Sequence, residues 1–482
     1  MRDRFDSIGE NGSAIDPHDQ GVQPAGHTPC STSTLVSGVR VSARGRKMRM
    51  KFNKTSQLVL VSAASLAAAL LVTACSQVTQ TLTVDFVYVA STLAAGPNQF
   101  GEIDVFEINS ESGHMRQIPS SPFPSGGRNP VAEVPSTDNS SLFVANHDDN
   151  TVVQFGIGTD GKLYSYNTVN TPGVYPTGLA TSKTNLFVID GFQPLPTCST
   201  AAPCSGSISA YPITLATKTT PVTMSAPALN GQQEYWTLCR TGYRQAVSGT
   251  WICASRESDV IVPTAVQVDP SGAYVYVTAY DSTLTPYQGF VFVFAVGSSG
   301  ALTPLPSSPF AAGKQPTALA LAAQGTNLYV TDYASDDVLG YSIANGVLTS
   351  MTSGTGGTNT FPAGGGPMGI IVNPTYPYAY VINSLDATLT AYSVNNGALT
   401  RLGNLAGGGN YTTGAQPIAI GLDPSTNRFL FTANFLGNNV SGFTIDPTDG
   451  SLLISQSSPF PSNANPAAVA AIPHNGTGAG IQ

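Results

Sequence analysis

Short apolar segments separated by turn residues dominate the chain from about residue 80 onward. The segments are rich in Val, Ile, Leu, Phe and Tyr, and Gly, Pro, Asn or Asp follow them. This pattern is typical of β-strands joined by tight turns. It shows neither the period of an amphipathic helix nor an alternation of strands and helices. The pattern therefore predicts an all-β protein.

The strand pattern repeats, and each copy opens with a proline. In one copy, Pro316-Thr-Ala-Leu-Ala-Leu is followed by Leu328-Tyr-Val-Thr-Asp, a third apolar segment, and then Asn345-Gly-Val-Leu-Thr. Asn-Gly and Asp-Gly pairs supply the positive φ angles of tight hairpins. The prolines that open the seven units are Pro130, Pro176, Pro263, Pro316, Pro367, Pro417 and Pro466.

The spacing of these prolines predicts a seven-bladed β-propeller with four-stranded blades. Five of the six spacings lie between 46 and 53 residues, and the spacing from Pro176 to Pro263 is 87. About 50 residues suffice for one blade. The first copy, near Val84, lacks its proline strand, whereas the last copy, 466–472, consists only of that strand. We therefore expect strands from both termini to pair and close the ring, which removes exposed sheet edges.

Several segments resemble the YVTN-type and lactonase-type seven-bladed propellers, which include 6-phosphogluconolactonase-like proteins. The resemblance rests on Leu328-Tyr-Val-Thr-Asp, on Phe143-Val-Ala-Asn-His-Asp-Asp-Asn-Thr-Val and on the Gly-x-Leu-Thr turns, and it extends over about residues 80–480. It implies the fold, but most of the matched residues are structural. Enzymes of this type would have His and Arg at the strand starts around the channel, where this chain has Gln315-Pro-Thr, Gly366-Pro-Met and Gln416-Pro-Ile. The resemblance therefore does not carry over their acid/base residues.

The amino-terminal part predicts export. Residues 1–47 have no periodic apolar pattern and are interpreted as disordered or as an upstream translation-start artefact. Residues 48–74 have a basic start and the apolar stretch Leu58–Val72, which is too short for a permanent membrane span. Cys75 follows Thr73-Ala74, which resembles the lipoprotein cleavage site and implies a lipid on Cys75; a plain signal peptide is the alternative. The mature chain, 75–482, would then be anchored to the bacterial envelope, by default at the outer membrane.

Charge and cysteine content limit the possible partners. Removal of residues 1–74 leaves 11 basic and 23 acidic residues, a net charge of −12, which argues against nucleic acid. The even number of remaining cysteines suggests disulfides in an exported chain. Pairing of Cys198 with Cys204 and of Cys239 with Cys253 is the simplest of three arrangements. Zinc is a rival interpretation, but histidine is nearly absent nearby.

The long insertions of the third unit are candidate binding loops. If strands A to D run from the axis outward, the B–C loops and the D–A connections emerge on one face, and both 190–206 and 225–262 belong to them. Aromatic and arginine side chains are typical binding anchors. The alternative is a cystine-stapled cap whose tryptophans form its own small core. The candidate anchors in 225–262 are Trp236, Arg240, Arg244 and Trp251.

The most polar B–C loop is His147-Asp148-Asp149-Asn150, and Arg128 provides a charge just before Pro130. These side chains are further candidate ligand-binding residues. Asp/Asn-rich loops of this kind, including Asp336-Asp337, can bind Ca²⁺ but are more often solvated turns, so we expect no metal and no cofactor. Ser-Ser-Pro-Phe recurs at 120–123, 307–310 and 457–460, which indicates a packed D–A connection and not a serine nucleophile.

The sequence favours a non-catalytic binding or interaction module, anchored to the membrane through Cys75, whose ligand is a protein, a glycan or a small molecule. Two alternatives stay open. One is a lactonase-type hydrolase of sugar lactones, and the other is a structural component of the envelope.

Overall fold

A computed structural model describes most of the chain from residue 84 to residue 473. The described ranges lie in the compact unit Thr79–Gln482 and form seven β-sheets with a single 3₁₀ turn, Thr355–Gly357. None of them is a helix of the length and hydrophobicity that a bilayer crossing requires. Residues 1–83, including Cys75, lie outside the description. The described ranges are 84–92, 99–109, 111–193, 204–214, 223–224, 235–240, 243–245, 251–253, 259–297, 300–322, 324–403 and 409–473.

The seven sheets are the blades of a propeller, and strands A to D run outward in each. Blade 1 consists of Pro466–Pro473, Val84–Ser91, Glu102–Asn109 and Met115–Gln117, and blade 2 of Pro130–Pro135, Ser141–Asn146, Thr151–Ile157 and Leu163–Asn170. Blade 3 consists of Val174–Thr181, Asn185–Phe192, Ser207–Thr214 and Thr223–Met224, and blade 4 of Ile261–Val268, Tyr274–Asp281, Gln288–Val296 and Leu302–Pro304. Blade 5 consists of Pro316–Leu321, Asn327–Asp332, Asp337–Ala344 and Val347–Ser350. Blade 6 consists of Pro367–Val372, Tyr378–Asn383, Thr388–Asn395 and Ala398–Arg401, and blade 7 of Pro417–Leu422, Phe429–Asn434, Asn439–Ile445 and Leu452–Ile454.

The ring closes as the repeat predicts. Strand A of blade 1 comes from the carboxyl-terminal end and pairs antiparallel with strand B from the amino-terminal side, with Phe86 opposite Ile472 and Ala90 opposite Ala468. Strand A of every blade contacts strand A of both neighbouring blades. The predicted seven blades and their closure are therefore confirmed.

A further short strand follows strand D in most blades and pairs with the beginning of strand C. In the Ser-Ser-Pro-Phe segments the second serine precedes a cis proline, and its hydroxyl accepts a hydrogen bond from a strand C backbone N–H. The distances are 2.8 Å for Val105 to Ser121, 3.0 Å for Val293 to Ser308 and 2.9 Å for Gly442 to Ser458. These serines therefore shape the packed connection that the repeat predicts. The short strands are Phe123–Pro124, Trp236–Thr237, Phe310–Ala311, Thr360–Pro362, Asn410–Thr412 and Phe460–Pro461.

The hydrophobic core lies between neighbouring blades. Strand B places large aromatic side chains there, and tyrosines add a polar contact to the next blade. Tyr88, Tyr329 and Tyr380 each donate a hydrogen bond, of 3.0, 2.8 and 3.0 Å, to a glycine carbonyl in the C–D turn of the following blade. Each of these rings is buried, so its hydroxyl has the partner that a buried donor needs. Apolar packing and these bonds together hold one blade on the next.

The B–C loops and the D–A connections meet around the axis on one face, called the mouth face below. The first residue of a B–C loop donates its N–H to the connection that enters the same blade, as in His147 to Asn129 (2.9 Å) and Ser384 to Gly366 (2.8 Å). The described parts of the two insertions also meet on this face. The Thr237 hydroxyl donates to Gln193 Oε1 at 2.8 Å. The prediction that both insertions share a face is confirmed for these residues.

One of the two expected disulfides is fully described. Cys239 and Cys253 are joined, with their Cα atoms 5.3 Å apart. Cys204 is also disulfide-bonded, and its predicted partner Cys198 lies outside the described residues.

Candidate functional site

A histidine–aspartate pair lies on the mouth face in the B–C loop of blade 2. His147 Nδ1 is 2.7 Å from Asp148 Oδ1, and the Asn129 amide donates to the same oxygen at 3.2 Å. The side chain of His147 is 30% exposed. Partial burial acts to raise the pKa of Asp148, but the hydrogen bonds from His147 and Asn129 outweigh it, so this pKa is lowered. An ionised Asp148 favours the tautomer with the proton on Nδ1, which leaves the lone pair of His147 on Nε2.

Arg128 lies beside this pair and is fixed by Asp149. Its Nε and Nη2 atoms are both 2.6 Å from Asp149 Oδ1, and its backbone N–H donates to Asp149 Oδ2 at 2.7 Å. The guanidinium also donates to the backbone oxygen of Asp148 at 3.1 Å. These four predicted residues therefore form one cluster in which a cation lies next to a histidine–aspartate pair.

Tyr175, which the sequence analysis did not select, completes the cluster from blade 3. Its ring stacks on His147, with centroids 4.6 Å apart and planes at 8°, and meets Phe192 edge-on at 5.8 Å. Its φ is +61°, a conformation that bulky residues rarely adopt. The equivalent residues Asn129, Gly366, Gln416 and Asn465 also have a positive φ, so this backbone conformation belongs to the repeat. The N–H of Tyr175 donates to Asn150 at 2.7 Å, which holds this backbone in place.

The position of Tyr175 in the repeat provides the signal that could have identified it. Tyr175 directly precedes the proline that opens blade 3. Among the residues at the equivalent position, Tyr175 is the only aromatic. The others are Asn129, Val262, Gln315, Gly366, Gln416 and Asn465.

Trp236 does not have the predicted role of a ligand anchor. It is 3% exposed and packs in the core with Ile208 and Phe290. It pairs with Ile208 at the start of strand C, as Phe310 pairs with Val291 in blade 4. Trp236 is thus the aromatic core residue of its blade's short outer strand.

Arg240 fixes the insertion to blade 4. Its guanidinium is 3.0 Å from Asp259 and 3.8 Å from the buried Asp281. These two carboxylates explain the position of the Arg240 side chain, so no ligand is needed to account for it. Arg244 and Trp251 lie in short strands, and their side chains are outside the description.

The Asp/Asn-rich loops mainly cap the neighbouring blade. Asn150, Asp336 and Asn438 accept the backbone N–H of the residue before the next blade's proline, at 2.7, 2.8 and 2.9 Å. In the part of the chain that the structure describes, no group of three or more His, Cys, Asp or Glu side chains could hold a metal ion.

The comparisons with known proteins agree with the propeller fold. Residues 252–466 match the family model described as "Lactonase, 7-bladed beta-propeller". Together with the seven blades, this match decides the type of fold. The chain is a seven-bladed β-propeller, and residues 252–466 are similar to the lactonase propellers. The matched range begins after blades 2 and 3, which carry His147 and Tyr175.

Solved structures of the same fold come from several bacteria. A candidate 6-phosphogluconolactonase of Bacteroides fragilis is 20% identical, with a TM-score of 0.60 over 82% of this chain and 99% of its own. The periplasmic gluconolactonase PpgL of Pseudomonas aeruginosa is 19% identical, with a TM-score of 0.58 over 81% and 99%. Identities this low establish the fold alone. No curated protein sequence matches the chain.

Proposed function

We propose that this propeller hydrolyses lactones at the mouth of its channel, with His147 as the general base. The observation that carries the proposal is the 2.7 Å contact between His147 and Asp148 beside Arg128. A histidine oriented by a carboxylate is a common general base. The similarity to proteins whose names include lactonase activity supports the choice of reaction.

The proposed reaction uses water as the nucleophile. Nε2 of His147 takes a proton from water as the water oxygen attacks the lactone carbonyl carbon. The electron pair of the C=O bond moves to its oxygen, which carries the negative charge of the tetrahedral intermediate. When the intermediate collapses, the ring C–O bond breaks, and the leaving alkoxide takes the proton back from His147. The product is a hydroxy acid.

The binding-module interpretation has lost part of its support. It depended on exposed anchors in the insertion, and Trp236 is in the core while Arg240 binds Asp259. The residues that the structure gathers on the mouth face are instead those suited to acid/base chemistry. The lactonase alternative therefore fits the described residues better.

Replacement of His147 tests the proposal directly. The wild-type protein should accelerate the hydrolysis of a lactone such as δ-gluconolactone, measured by acid release against the spontaneous rate. His147→Gln should lower kcat by about 10²- to 10⁴-fold, the usual contribution of general base catalysis. Asp148→Asn should lower it by at least about tenfold, because the amide no longer favours the required tautomer.

His114 provides the matched control. It is a histidine of blade 1, lies in a C–D turn away from the mouth face, and contacts the backbone oxygen of Gln456 at 3.1 Å. His114→Gln should retain the wild-type rate. A His147→Gln variant as active as His114→Gln would refute the assignment, and a wild type without lactone hydrolysis would refute the proposed function.

We also propose that the protein is exported and anchored to the envelope through Cys75, as the amino-terminal sequence indicates. The Cys239–Cys253 disulfide supports an oxidising compartment, in which such bonds persist. Cys75→Ser should move the protein from the membrane fraction to a soluble one. Unchanged fractionation of this variant would contradict the anchor.

A further inference from the structure

The mouth face has an apolar side in blades 5 to 7, two to three blades away from His147. Leu385 and Leu436 are 67% and 63% exposed. Each is the second residue of a B–C loop, in blades 6 and 7, and the equivalent residue in blade 2 is Asp148. Blades 5 and 6 are three blades away from blade 2 in the ring of seven. The mouth therefore has the His147 cluster at blades 2 and 3 and, at blades 5 to 7, an apolar side of Tyr333, Leu385 and Leu436 that lies beside Asp336 and Asp386.

The apolar side is held in place by the backbone around the channel entrance. Leu385 donates its N–H to Gly365 at 3.1 Å, and the following Gly366 precedes strand A of blade 6. A Cβ atom on Gly366 would lie 2.7 Å from Leu385 Cγ and 2.8 Å from the ring of Tyr333. Leu385 and Tyr333 therefore both pack against Gly366, and any larger residue at position 366 would clash with them. In blade 7, the half-buried Phe435 precedes Leu436.

The charges of the mouth face disfavour a phosphorylated ligand. Two of the three basic side chains described in these loops already bind aspartates, Arg128 with Asp149 and Arg240 with Asp259. An excess of carboxylates repels a dianionic phosphate. The described basic side chains are Arg128, Arg240 and Lys314, and the carboxylates of the same loops are Asp148, Asp149, Asp259, Asp336 and Asp386.

We propose that the preferred substrate is an uncharged lactone with an apolar substituent. The lactone ring lies at His147, and the substituent lies across the mouth on Tyr333, Leu385 and Leu436. This inference rests on the proposed hydrolase function and names its substrate class. Burial of the substituent against exposed leucines provides the binding energy, and the absence of a phosphate avoids repulsion by the carboxylates.

The chain-length dependence of hydrolysis tests the inference. The full chain is assayed with δ-lactones that bear unbranched alkyl substituents of increasing length, and with δ-gluconolactone and its 6-phosphate. We expect kcat/KM to rise by about twofold to fourfold for each added methylene, the effect of partial to full burial. The phosphorylated lactone should be the poorest substrate.

Leu453 provides a matched control for the two leucines. It is 67% exposed, as Leu385 is, but lies on strand D of blade 7 at the outer edge of the propeller. The double variant Leu385→Ser/Leu436→Ser should lose the chain-length dependence, whereas Leu453→Ser should retain it. All variants are first compared by thermal unfolding to confirm that they are folded.

The outcomes separate the substrate class from the hydrolase function. Hydrolysis that is independent of chain length, or a preference for the 6-phosphate, would overturn the inference and leave the hydrolase intact. If no lactone is hydrolysed, the proposed function fails, and calorimetry with a non-hydrolysable alkyl-substituted lactam then decides. Lactam binding that only the double variant weakens would support the apolar subsite. No binding, or equal binding by all variants, would overturn it.

Discussion

Glu133 is a carboxylic acid at a position where the other blades have apolar residues. It lies on strand A of blade 2, and both of its carboxyl oxygens are buried beside the backbone of Ala90 and Ala470. Burial raises its pKa to about 8, and the nearby backbone of Ala90 and Ala470 only partly opposes this effect. Glu133 thus touches the two strands that close the ring. The equivalent residues are Leu179, Val266, Leu319, Ile370, Ile420 and Val469.

The raised pKa of Glu133 predicts that stability falls as the pH rises from about 4.5 to about 8. The folded protein holds this proton up to about pH 8, whereas the unfolded chain releases it near the ordinary value of 4.5. The contribution is therefore fully present below about pH 4.5 and is lost as the pH rises through about 8. Glu133→Gln should reduce the fall in the free energy of unfolding across this range by up to a few kcal/mol, measured by urea denaturation at several pH values.

Glu111 provides the control for this experiment, because it is an exposed glutamate in the C–D turn of blade 1. Glu111→Gln should follow the wild-type pH dependence. If the Glu133→Gln curve also parallels the wild type, Glu133 is not the buried acid that the structure describes.

The residues of the site were only partly predictable. Polarity alone selects Arg128 and His147, but their contacts depend on how the loop folds back on the D–A connection. Trp236 was interpreted wrongly because an aromatic residue in a long insertion looks like a surface anchor. Its pairing with strand C, which the sequence around it does not reveal, places it in the core.

At the scale of elements, the repeat predicts strands A to C well and the outer edge less well. Strands A to C have long apolar runs, whereas strand D is short and is followed by a second short strand. The Ser-Ser-Pro-Phe segments show the reason. Two short strands pair with different parts of strand C and leave a gap between them. In this gap the Ser308 hydroxyl accepts the hydrogen bond of the Val293 N–H, so that donor is not left unpaired.

The insertion between blades 3 and 4 shows how an added segment is fixed to a rigid scaffold. Arg240 binds Asp281 on strand B of blade 4 and Asp259 just before strand A of that blade. The adjacent Cys239 forms a disulfide with Cys253. A disulfide that closes a loop of about 15 residues contributes on the order of 3 kcal/mol by loop-entropy estimates. The sequence predicts the bridge from spacing alone, but the ion pairs depend on residues that are distant in the sequence.

At the scale of the whole molecule, closure of the ring predicts that the carboxyl-terminal strand is essential. A chain that ends at Asn465 lacks strand A of blade 1, which leaves strand B of that blade and the neighbouring strands A without their partner. We expect this variant to lose cooperative thermal unfolding, followed by circular dichroism. A chain that ends after Pro473 retains the strand and should unfold as the wild type does. Cooperative melting of the shorter chain near the wild-type midpoint would contradict the prediction.

The number of blades and their closure were predictable because each blade repeats the same pattern. The arrangement of the mouth face was not, because it depends on which loops meet across the axis. Asp148, Leu385 and Leu436 occupy the same position in three blades, and only the ring reveals that they face a common opening.

The pairing of Asp85 with Pro473 joins residues about 390 positions apart. Because of this separation, blade 1 can be completed only late in synthesis. The ribosome makes strand B of blade 1 as the first described element and its inner partner as the last described element. Until then, blade 1 presents an open sheet edge of the kind that promotes aggregation. A prematurely terminated chain therefore has an unsatisfied edge, so it is a target for proteases or chaperones and not a smaller working propeller.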